Sequence, residues 1–453
     1  MSRKPKIVIL GAGLSGLSAA WHLSAIGREY QIFEKETEAG GLCRSKKING
    51  FTPLEMPYHY KNNAKFLTGF TFDYGGHLLH FRDDYTFSLV KKLLSGNLTS
   101  HRRNAWVYSF HRYVRYPFQF HLYGLPASVV KECIAGFIRK SEGKKLMAKR
   151  DLNFLDWINH KLGKGIARHF MVPYNRKFWT VSPAKLTYEW TQGFVPIPSL
   201  SELIAGSRID SKNDVGYNSR FWYPQKGGIQ ELARAFSAKI KKVDTCHEAV
   251  KLDIRNKKVY FQNGNVQAFD KLIFTLPLPE ILRLCPHLSS GIEHNLKQLR
   301  YASIFNLNLG IDRNNISDKH WVYFPGKDYC FFRTGFYYNF SLHNAPSAAS
   351  SLYAEVSYSP SQPLSKNINR RIIEGLIKSK ILNRKDKIIA SDVNDIRYGY
   401  VLFDKNYKKS TQEIIQGLRE KDIYCCGRYG SWRYLSMADT ILDAKQLVDR
   451  FFR

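Results

Sequence analysis

Cysteine is scarce in this sequence, and so are long apolar runs. The 453 residues include seven cysteines, an odd and scattered set without a CxxC pair: Cys43, Cys133, Cys246, Cys285, Cys330, Cys425 and Cys426. This pattern argues against a disulfide framework and a structural zinc site, so we predict no bound metal. No apolar stretch approaches the roughly 18 residues that span a bilayer. We therefore expect a cytoplasmic protein.

Acidic residues are also few. The sequence has 38 Asp and Glu against 69 Lys and Arg, which gives a net charge of +31. Such a field attracts anions, including nucleotides and acidic membrane surfaces. The basic residues are spread along the chain, with no basic tail and no nucleic-acid-binding motif, so no nucleic-acid partner is expected. A sugar nucleotide, and peripheral contact with an anionic membrane, are the favoured partners. Nothing in the sequence indicates an oligomeric state.

A dinucleotide-binding unit is predicted at the start of the chain. Its parts are an apolar strand, a glycine turn, a small-residue helix and a second strand with an acidic end: Ile7–Leu10, Gly11-Ala12-Gly13-Leu14-Ser15-Gly16, Leu17–Ile26, Tyr30–Phe33 and Glu34. The glycines permit a tight turn and close approach of a pyrophosphate, and the helix N-terminus offers N–H groups to it. Glu34 stands where a carboxylate can accept ribose hydroxyls.

The segment after Glu34 favours FAD over NAD. Gly40-Gly41-Leu42-Cys43-Arg44 supplies a second glycine pair and an arginine directly after the acidic strand end. Such a loop can return to the pyrophosphate, and an NAD dehydrogenase has no need of it. The alternative interpretation is an ordinary glycine turn.

We predict an α/β fold, in which a Rossmann-like FAD-binding domain carries a helical insertion and a mixed β-sheet substrate domain. The predicted parts are FAD-binding at 1–89, mainly helical at 90–215, FAD-binding at 216–290, β-rich at 291–398 and FAD-binding at 399–453. Strands are expected in the β-rich part at Ile304–Leu309, Trp321–Phe324 and Leu352–Tyr358. No internal repeat or low-complexity segment occurs.

Several motifs are more specific than the glycine turn: Gly75-Gly76-His77, Arg115-Tyr116-Pro117-Phe118-Gln119, Pro173-Tyr174-Asn175-Arg176-Lys177-Phe178-Trp179, His320-Trp321-Val322-Tyr323-Phe324-Pro325, Phe332-Arg333 and Gly427-Arg428-Tyr429-Gly430-Ser431-Trp432-Arg433-Tyr434. Together they resemble the flavin-dependent UDP-galactopyranose mutases, particularly the eukaryotic type. The wider group is the amine-oxidase-like and protoporphyrinogen-oxidase-like flavoproteins. The resemblance runs from about residue 5 to the C-terminus.

The resemblance implies a reduced-flavin mutase that interconverts UDP-galactopyranose and UDP-galactofuranose, or a related sugar nucleotide, for cell-surface glycan synthesis. It gives His77, beside the flavin, and Arg333 catalytic roles. The implied cofactor-binding residues are Gly11, Gly13, Leu14, Ser15, Gly16, Glu34, Lys35, Gly41, Leu42, Arg44, Gly75, Gly76, His77, Val250, Gly427 and Arg428. The implied substrate-binding residues are Tyr116, Phe118 and Gln119 at the uracil, and Tyr323, Arg333, Tyr400 and Tyr434 at the diphosphate.

Three positions depart from the mutase pattern. Val172 stands where the eukaryotic mutases carry an arginine, Phe340 where they carry a tyrosine, and Ser199 near an asparagine position. Each change removes a polar contact expected on the sugar–phosphate side. Two other functions therefore stay open, an FAD-dependent oxidoreductase of the amine oxidase or protoporphyrinogen oxidase type and a flavoprotein scaffold without turnover.

One segment interrupts the family pattern. Gly50-Phe51 and Gly69-Phe70 repeat the same dipeptide, and joining Phe51 to Thr71 restores the continuous pattern from Asn49 to His77. We therefore interpret Thr52–Phe70 as an insertion, with an inert loop, a lid and a membrane contact as its alternative roles.

Overall fold

The computed structural model describes residues 6–49, 69–140, 152–211, 215–216, 218–285 and 287–453. Strands alternate with helices along most of this length. The strands are β1 (Ile7–Leu10), β2 (Tyr30–Phe33), β3 (Ser45–Ile48), β4 (Phe70–Asp73), β5 (Thr99–Arg102), β6 (Ala105–Ser109), β7 (Arg112–Arg115), β8 (Arg220–Tyr223), β9 (Val243–Asp244), β10 (Ala249–Asp253), β11 (Lys258–Phe261), β12 (Val266–Ala268), β13 (Lys271–Phe274), β14 (Tyr301–Ile311), β15 (Trp321–Tyr323), β16 (Arg333–Phe336), β17 (Ser350–Tyr358), β18 (Ile388–Val401) and β19 (Ile423–Cys425).

The α-helices range from single turns to four turns. They are α1 (Leu14–Ala25), α2 (Asp84–Leu94), α3 (Ala127–Arg139), α4 (Phe154–Ile166), α5 (Val172–Trp179), α6 (Leu200–Arg208), α7 (Gln230–Ser237), α8 (Ile281–Leu284), α9 (Ser290–Gln298), α10 (Ile368–Lys378), α11 (Tyr407–Arg419), α12 (Gly427–Gly430) and α13 (Met437–Phe451). A π-helical turn, Ala167–Met171, joins α4 to α5. Among the described residues, none of these helices is both long and apolar enough to cross a membrane.

A parallel sheet of five strands forms the dinucleotide-binding core, in the order β19-β13-β1-β2-β9. Its pairs are all parallel, with Ile7 opposite Lys271 on one side of β1 and Tyr30 on the other. All four residues of β1 are buried, as expected for a central strand covered on both faces. The predicted Rossmann-like unit is therefore confirmed, and strands from three distant parts of the chain complete it.

A sheet of seven strands forms the second body, in the order β18-β14-β17-β16-β15-β6-β7. The three strands predicted here are present, and two of them extend beyond the predicted bounds, to Tyr301–Ile311 and Ser350–Tyr358. The interval 90–215, predicted as mainly helical, also contributes strands, because β6 pairs in parallel with β15. Helices α3 to α6 follow β7, and α5 packs against β17 of this sheet.

The predicted insertion lies between two paired strands. In the hairpin of β3 and β4, Ile48 stands opposite Phe70, so Asn49 and Gly69 bracket residues 50–68 at the end of the ladder. The predicted segment Thr52–Phe70 lies outside the described residues up to position 68. Its last residue, Phe70, belongs to β4 and is buried.

Candidate functional site

In the glycine turn after β1, the fold requires glycine at positions 11 and 16 but not at position 13. Gly11 has φ +92°, and a Cβ there would come within 2.6 Å of Thr275 Oγ1. A Cβ on Gly16 would lie 1.9 Å from the Gly11 carbonyl oxygen. Gly13 instead has φ −69°, and a Cβ there would meet only Gly41, at 3.7 Å or beyond. Neither backbone nor packing explains a glycine at 13, which fits a ligand seated against this turn.

Glu34 ties the end of β2 to the same turn. Its side chain is 6% exposed, and its two carboxylate oxygens accept the backbone N–H groups of Ala12, at 2.8 Å, and Glu36, at 3.1 Å. Each oxygen keeps a further lone pair for a hydroxyl donor. Glu34 therefore sits where it can shape the turn and also accept a ribose hydroxyl.

The second glycine pair lies against the first turn. Gly40 donates its N–H to the Ala12 carbonyl at 2.8 Å, and Gly41 faces Gly13. Arg44 folds back, with its Nε–H donated to the Gly41 carbonyl at 2.8 Å. The second glycine pair is therefore more than an isolated turn. The two glycine segments form one cradle, and the Arg44 guanidinium lies beside it.

A cavity of about 1080 Å³ begins at this cradle and continues to the seven-stranded sheet. Most of the predicted site residues line it, and they are Gly11, Gly13, Leu14, Ser15, Glu34, Lys35, Gly41, Leu42, Arg44, Gly76, His77, Tyr116, Gln119, Tyr323, Arg333, Tyr400, Arg428 and Tyr434. Within the described part of the chain, five others do not line it: Gly16, Gly75, Phe118, Val250 and Gly427.

Four of those five lie behind or beside the wall, and Gly16 supports the turn as described above. Phe118 is fully buried and stacks on the lining residue Phe170, with ring centroids 5.0 Å apart. A Cβ on Gly75 would approach Glu355 at 2.8 Å, and one on Gly427 would approach Ser15 Oγ at 1.8 Å. Val250 is the extra residue of a bulge in β10 and is 40% exposed. An aromatic stack of Phe118 on a base, as the resemblance implied, does not fit this placement.

His77 enters the cavity from the loop after β4. Its Nδ1 lies 3.4 Å from the Gly75 carbonyl oxygen. Burial lowers the pKa of His77 to about 4, with the Glu355 carboxylate acting in the opposite direction. The imidazole is therefore neutral at neutral pH, and it can donate or accept a hydrogen bond but brings no charge.

Arg333 forms a buried ion pair with Glu355. Its Nε–H donates to Glu355 Oε2 at 2.6 Å, and Glu355 Oε1 accepts the Gly76 N–H at 3.2 Å. Burial disfavours the charge, but the Glu355 carboxylate overcomes this and holds the pKa of Arg333 well above its usual value. One carboxylate thus connects the predicted diphosphate-binding arginine with the loop that carries His77.

Aromatic rings form the remaining wall. Tyr116 and Tyr323 have centroids 4.8 Å apart, and Tyr174 lies edge-on to Tyr323 at 5.3 Å. The Arg428 guanidinium carbon lies 5.2 Å from the Tyr400 ring centroid and 4.8 Å from that of Tyr434. Burial raises the pKa of Tyr116, Tyr323 and Tyr400, so these phenols stay protonated and can donate to an anion.

The three departures from the mutase pattern lie elsewhere. In the described chain, Val172, Ser199 and Phe340 are not among the residues that line the cavity. Ser199 caps α6 in a reciprocal pair with Glu202. Phe340 packs against the rings of Phe221 and Tyr223. Ser199 and Phe340 therefore have capping and packing roles away from the cavity. The prediction that these two substitutions remove polar contacts from the sugar–phosphate side does not fit their positions.

Sequence reasoning left several cavity-lining residues without a role, and Tyr174 and Glu355 are two of them. Tyr174 belonged to a motif of the resemblance but received no role. Glu355 is a single acidic residue within the otherwise apolar, buried centre of β17. Because a buried carboxylate requires a partner, its position in an apolar strand was a usable signal.

A sequence model of the family described as flavin containing amine oxidoreductase matches residues 14–365. The crystal structure of a reduced UDP-galactopyranose mutase superposes with a TM-score of 0.88 at 27% identity, over 99% of this chain and 93% of that one. The protoporphyrinogen oxidase of Dictyostelium discoideum is 24% identical over 391 residues, which cover 71% of this chain and 70% of that protein.

A short stretch also matches a desaturase. The 4,4′-diapophytoene desaturase of Staphylococcus aureus is 47% identical over 47 residues. That match covers 10% of this chain, and the chain spans only 9% of the length of that enzyme.

Proposed function

The chain belongs to the flavin-containing amine oxidoreductase family, and we propose that it is a sugar-nucleotide mutase. The proposed reaction interconverts UDP-galactopyranose and UDP-galactofuranose, or a related nucleotide sugar. The observation that carries the proposal is one continuous cavity that contains both the glycine cradle and a set of neutral phenols around Arg333. A cytoplasmic role in cell-surface glycan synthesis follows from that substrate class and is part of the proposal.

FAD is the cofactor, and the residues fit it. The cradle at Gly13 has room that the protein itself leaves unfilled, the first turn of α1 offers N–H groups, and Arg44 brings a positive charge. When bound in its reduced form, FAD supplies the nucleophile for substitution at the anomeric carbon of the sugar. The protein binds, orients and neutralises charge.

The residues at the far end are suited to a leaving diphosphate. Arg333 supplies a fixed charge, which Glu355 partly neutralises, and the hydroxyl groups of Tyr323, Tyr400 and Tyr434 supply hydrogen-bond donors. This combination binds an anion without the strong field of two free guanidinium groups, so the diphosphate can return to the sugar. Gln119 donates to the Pro196 carbonyl at 2.8 Å and lines the cavity with Tyr116, and we propose that these two residues receive the base.

An FAD-dependent oxidoreductase is the second candidate, and the apolar part of the lining favours it. Phe170, Met171, Phe178, Trp190 and Phe194 all border the cavity. They would suit an apolar amine, porphyrinogen or polyene. The family assignment and the protoporphyrinogen oxidase relative are consistent with this alternative.

Incubation of the reduced protein with UDP-galactopyranose or UDP-galactofuranose distinguishes the candidates. A mutase converts each into the same equilibrium mixture, needs reduction for turnover and consumes no reductant in proportion to product. An oxidoreductase leaves both sugars unchanged and reduces its flavin with an amine, porphyrinogen or polyene under anaerobic conditions. A scaffold does neither, and both of the last two results would overturn the mutase proposal.

A further inference from the structure

Lys177 occupies an unusual position on α5. Its ammonium nitrogen lies 2.6 Å from the carbonyl oxygen of Phe324, 2.6 Å from that of Gly326 and 3.3 Å from that of Phe331. An ammonium group has three N–H donors and no acceptor. All three donors are therefore directed at main-chain oxygens of one short segment.

That segment joins the two strands that carry the predicted diphosphate-binding residues. β15 ends at Tyr323 and β16 begins at Arg333, and the connection between them closes with Phe324 N–H donated to the Phe332 carbonyl at 2.9 Å. The three acceptors of Lys177 all belong to this connection. A shift of the connection would move Tyr323 and Arg333 together.

Helix α5 also contacts these strands through two aromatic rings. Tyr174 meets the Tyr323 ring at 5.3 Å, and Phe178 meets Tyr400 at 4.2 Å and Phe332 at 5.2 Å. Rings in contact hold their separation only if the backbones behind them are fixed. Lys177 is on the helix that carries Tyr174 and Phe178, and it supplies that fixed connection.

The burial of the Lys177 ammonium group carries a desolvation cost, so its presence calls for an explanation. Burial lowers the pKa of Lys177 to about 7, so a charge at this position costs free energy. A neutral apolar side chain at this position would avoid that cost. Lys177 is not among the described residues that line the cavity, so its charge does not serve the ligand directly.

We propose that Lys177 is a positioning residue. It holds α5, which carries Tyr174 and Phe178, against the strands of Tyr323 and Arg333, and so fixes the geometry of the nucleotide-diphosphate site in the cavity. The inference deepens the proposed function and rests on it for its ligand. The locked geometry explains how one guanidinium and several phenols can meet a diphosphate without further ordering on binding.

The test compares UDP binding by five holoproteins, the wild type and four variants, at pH 6, which is below the pKa of Lys177. Lys177→Met keeps most of the length of the side chain but loses its donors, and we expect FAD retention with UDP affinity lower by about tenfold or more, as if one charge-assisted contact to the diphosphate were misplaced. Lys177→Arg, which can still donate to carbonyls, should recover part of that loss. Arg176→Met removes an exposed cation from the same helix and should leave affinity within about twofold.

A fourth variant separates positioning from general loss of stability. Leu418→Ala in α11 removes a fully buried side chain that does not line the described cavity. It should lower the thermal midpoint as Lys177→Met does, while UDP affinity stays that of the wild type. Wild-type affinity in Lys177→Met, or an equal affinity loss in Leu418→Ala, would overturn the proposal.

Amide hydrogen exchange provides a measurement that needs no nucleotide. In Lys177→Met, or in Lys177→Arg if the methionine variant does not fold, exchange should accelerate in α5 and in residues 324–332 together, and stay unchanged in β1. Unchanged exchange in both segments would refute the positioning role. If the wild type fails to bind UDP but the exchange result is obtained, the proposed function fails while the structural lock stands.

Discussion

Arg333 and Gly76 share the carboxylate of Glu355, which accepts the guanidinium Nε–H at 2.6 Å through one oxygen and the backbone N–H at 3.2 Å through the other. Glu355 is 4% exposed. Removal of Arg333 alone would leave this carboxylate buried without its counter-ion. A simple Arg333→Ala variant therefore changes stability and any ligand contact at once.

A double variant isolates the ligand contact. In the background of Glu355→Gln, the further change Arg333→Ala breaks no ion pair. If Arg333 binds a phosphate, UDP affinity should then fall by about 10- to 100-fold, the range for a charge-assisted hydrogen bond of roughly 1.5–3 kcal/mol. Isothermal titration of Glu355→Gln and of the double variant with UDP gives this difference.

The stability of the same variants provides the control. Arg333→Ala alone should unfold at the lowest denaturant concentration, because an uncompensated buried charge costs about 3–5 kcal/mol. The double variant should regain part of that loss. Equal UDP affinity in Glu355→Gln and in the double variant would mean that Arg333 is only a structural partner of Glu355.

Local patterns in the sequence predicted the βα unit and its glycine cradle, because spacing within a short segment determines them. Gly13 facing Gly41 is an example. The pairing of β6 with β15, and the contact of Glu355 with Gly76, join segments far apart in the chain. No local periodicity encodes such contacts. Phe118 shows the same limit, since only the packing against Phe170 reveals that it stands behind the wall.

Two glycine substitutions in the same turn should have different effects, one on cofactor binding and the other on folding. Gly13→Ala introduces a methyl group into space that the protein leaves open, so the fold should survive while FAD binding weakens. Gly16→Ala places the methyl group 1.9 Å from the Gly11 carbonyl oxygen, so the β1–α1 turn itself should be disrupted. Flavin absorbance per protein and far-ultraviolet circular dichroism distinguish the two.

The wild type should carry FAD in nearly equimolar amount. Folded, flavin-poor Gly13→Ala beside poorly folded Gly16→Ala is the expected pair of results. Full flavin content in Gly13→Ala would show that the cofactor does not lie against this glycine.

His320 should make the protein sensitive to acid. Burial lowers its pKa to about 3, with the His101 ring acting in the same direction and Asp318 in the opposite one. Because the folded-state pKa lies below that of the unfolded chain, about 6.5, the unfolded state gains a proton first as pH falls. Stability from the neutral ring is present above pH 6.5 and is lost progressively toward pH 3.

His320→Gln tests this contribution, since the glutamine oxygen can still accept the Asn104 N–H that Nδ1 accepts at 2.9 Å. Between pH 6.5 and 4, the free energy of unfolding of the variant should fall less steeply, by up to about 1.4 kcal/mol per pH unit. Urea unfolding at several pH values measures the slopes. His294→Gln, on the exposed side of α9, should parallel the wild type, and parallel slopes for His320→Gln would contradict the assignment.

Residues 50–68 should be removable without loss of the fold or the flavin. Their deletion joins Asn49 to Gly69, between Ile48 and Phe70, which are already cross-strand partners. Deletion of Thr52–Phe70 gives the identical chain, because Gly50-Phe51 repeats Gly69-Phe70. The product has a two-residue Asn-Gly loop, the preferred connection of a tight β-hairpin.

The physical expectation is a small gain in stability, because closure of a two-residue loop costs less entropy than closure of the longer one, by about 2 kcal/mol on a logarithmic length dependence. Thermal unfolding and flavin absorbance of the deletion variant check this. A matched control places alanine at the glycine of the new loop, where a type I′ turn needs positive φ, and it should lose about 1 kcal/mol of the gain. If the deletion yields insoluble or flavin-free protein, residues 50–68 contribute to the core or to the cofactor site, and their interpretation as an insertion is wrong.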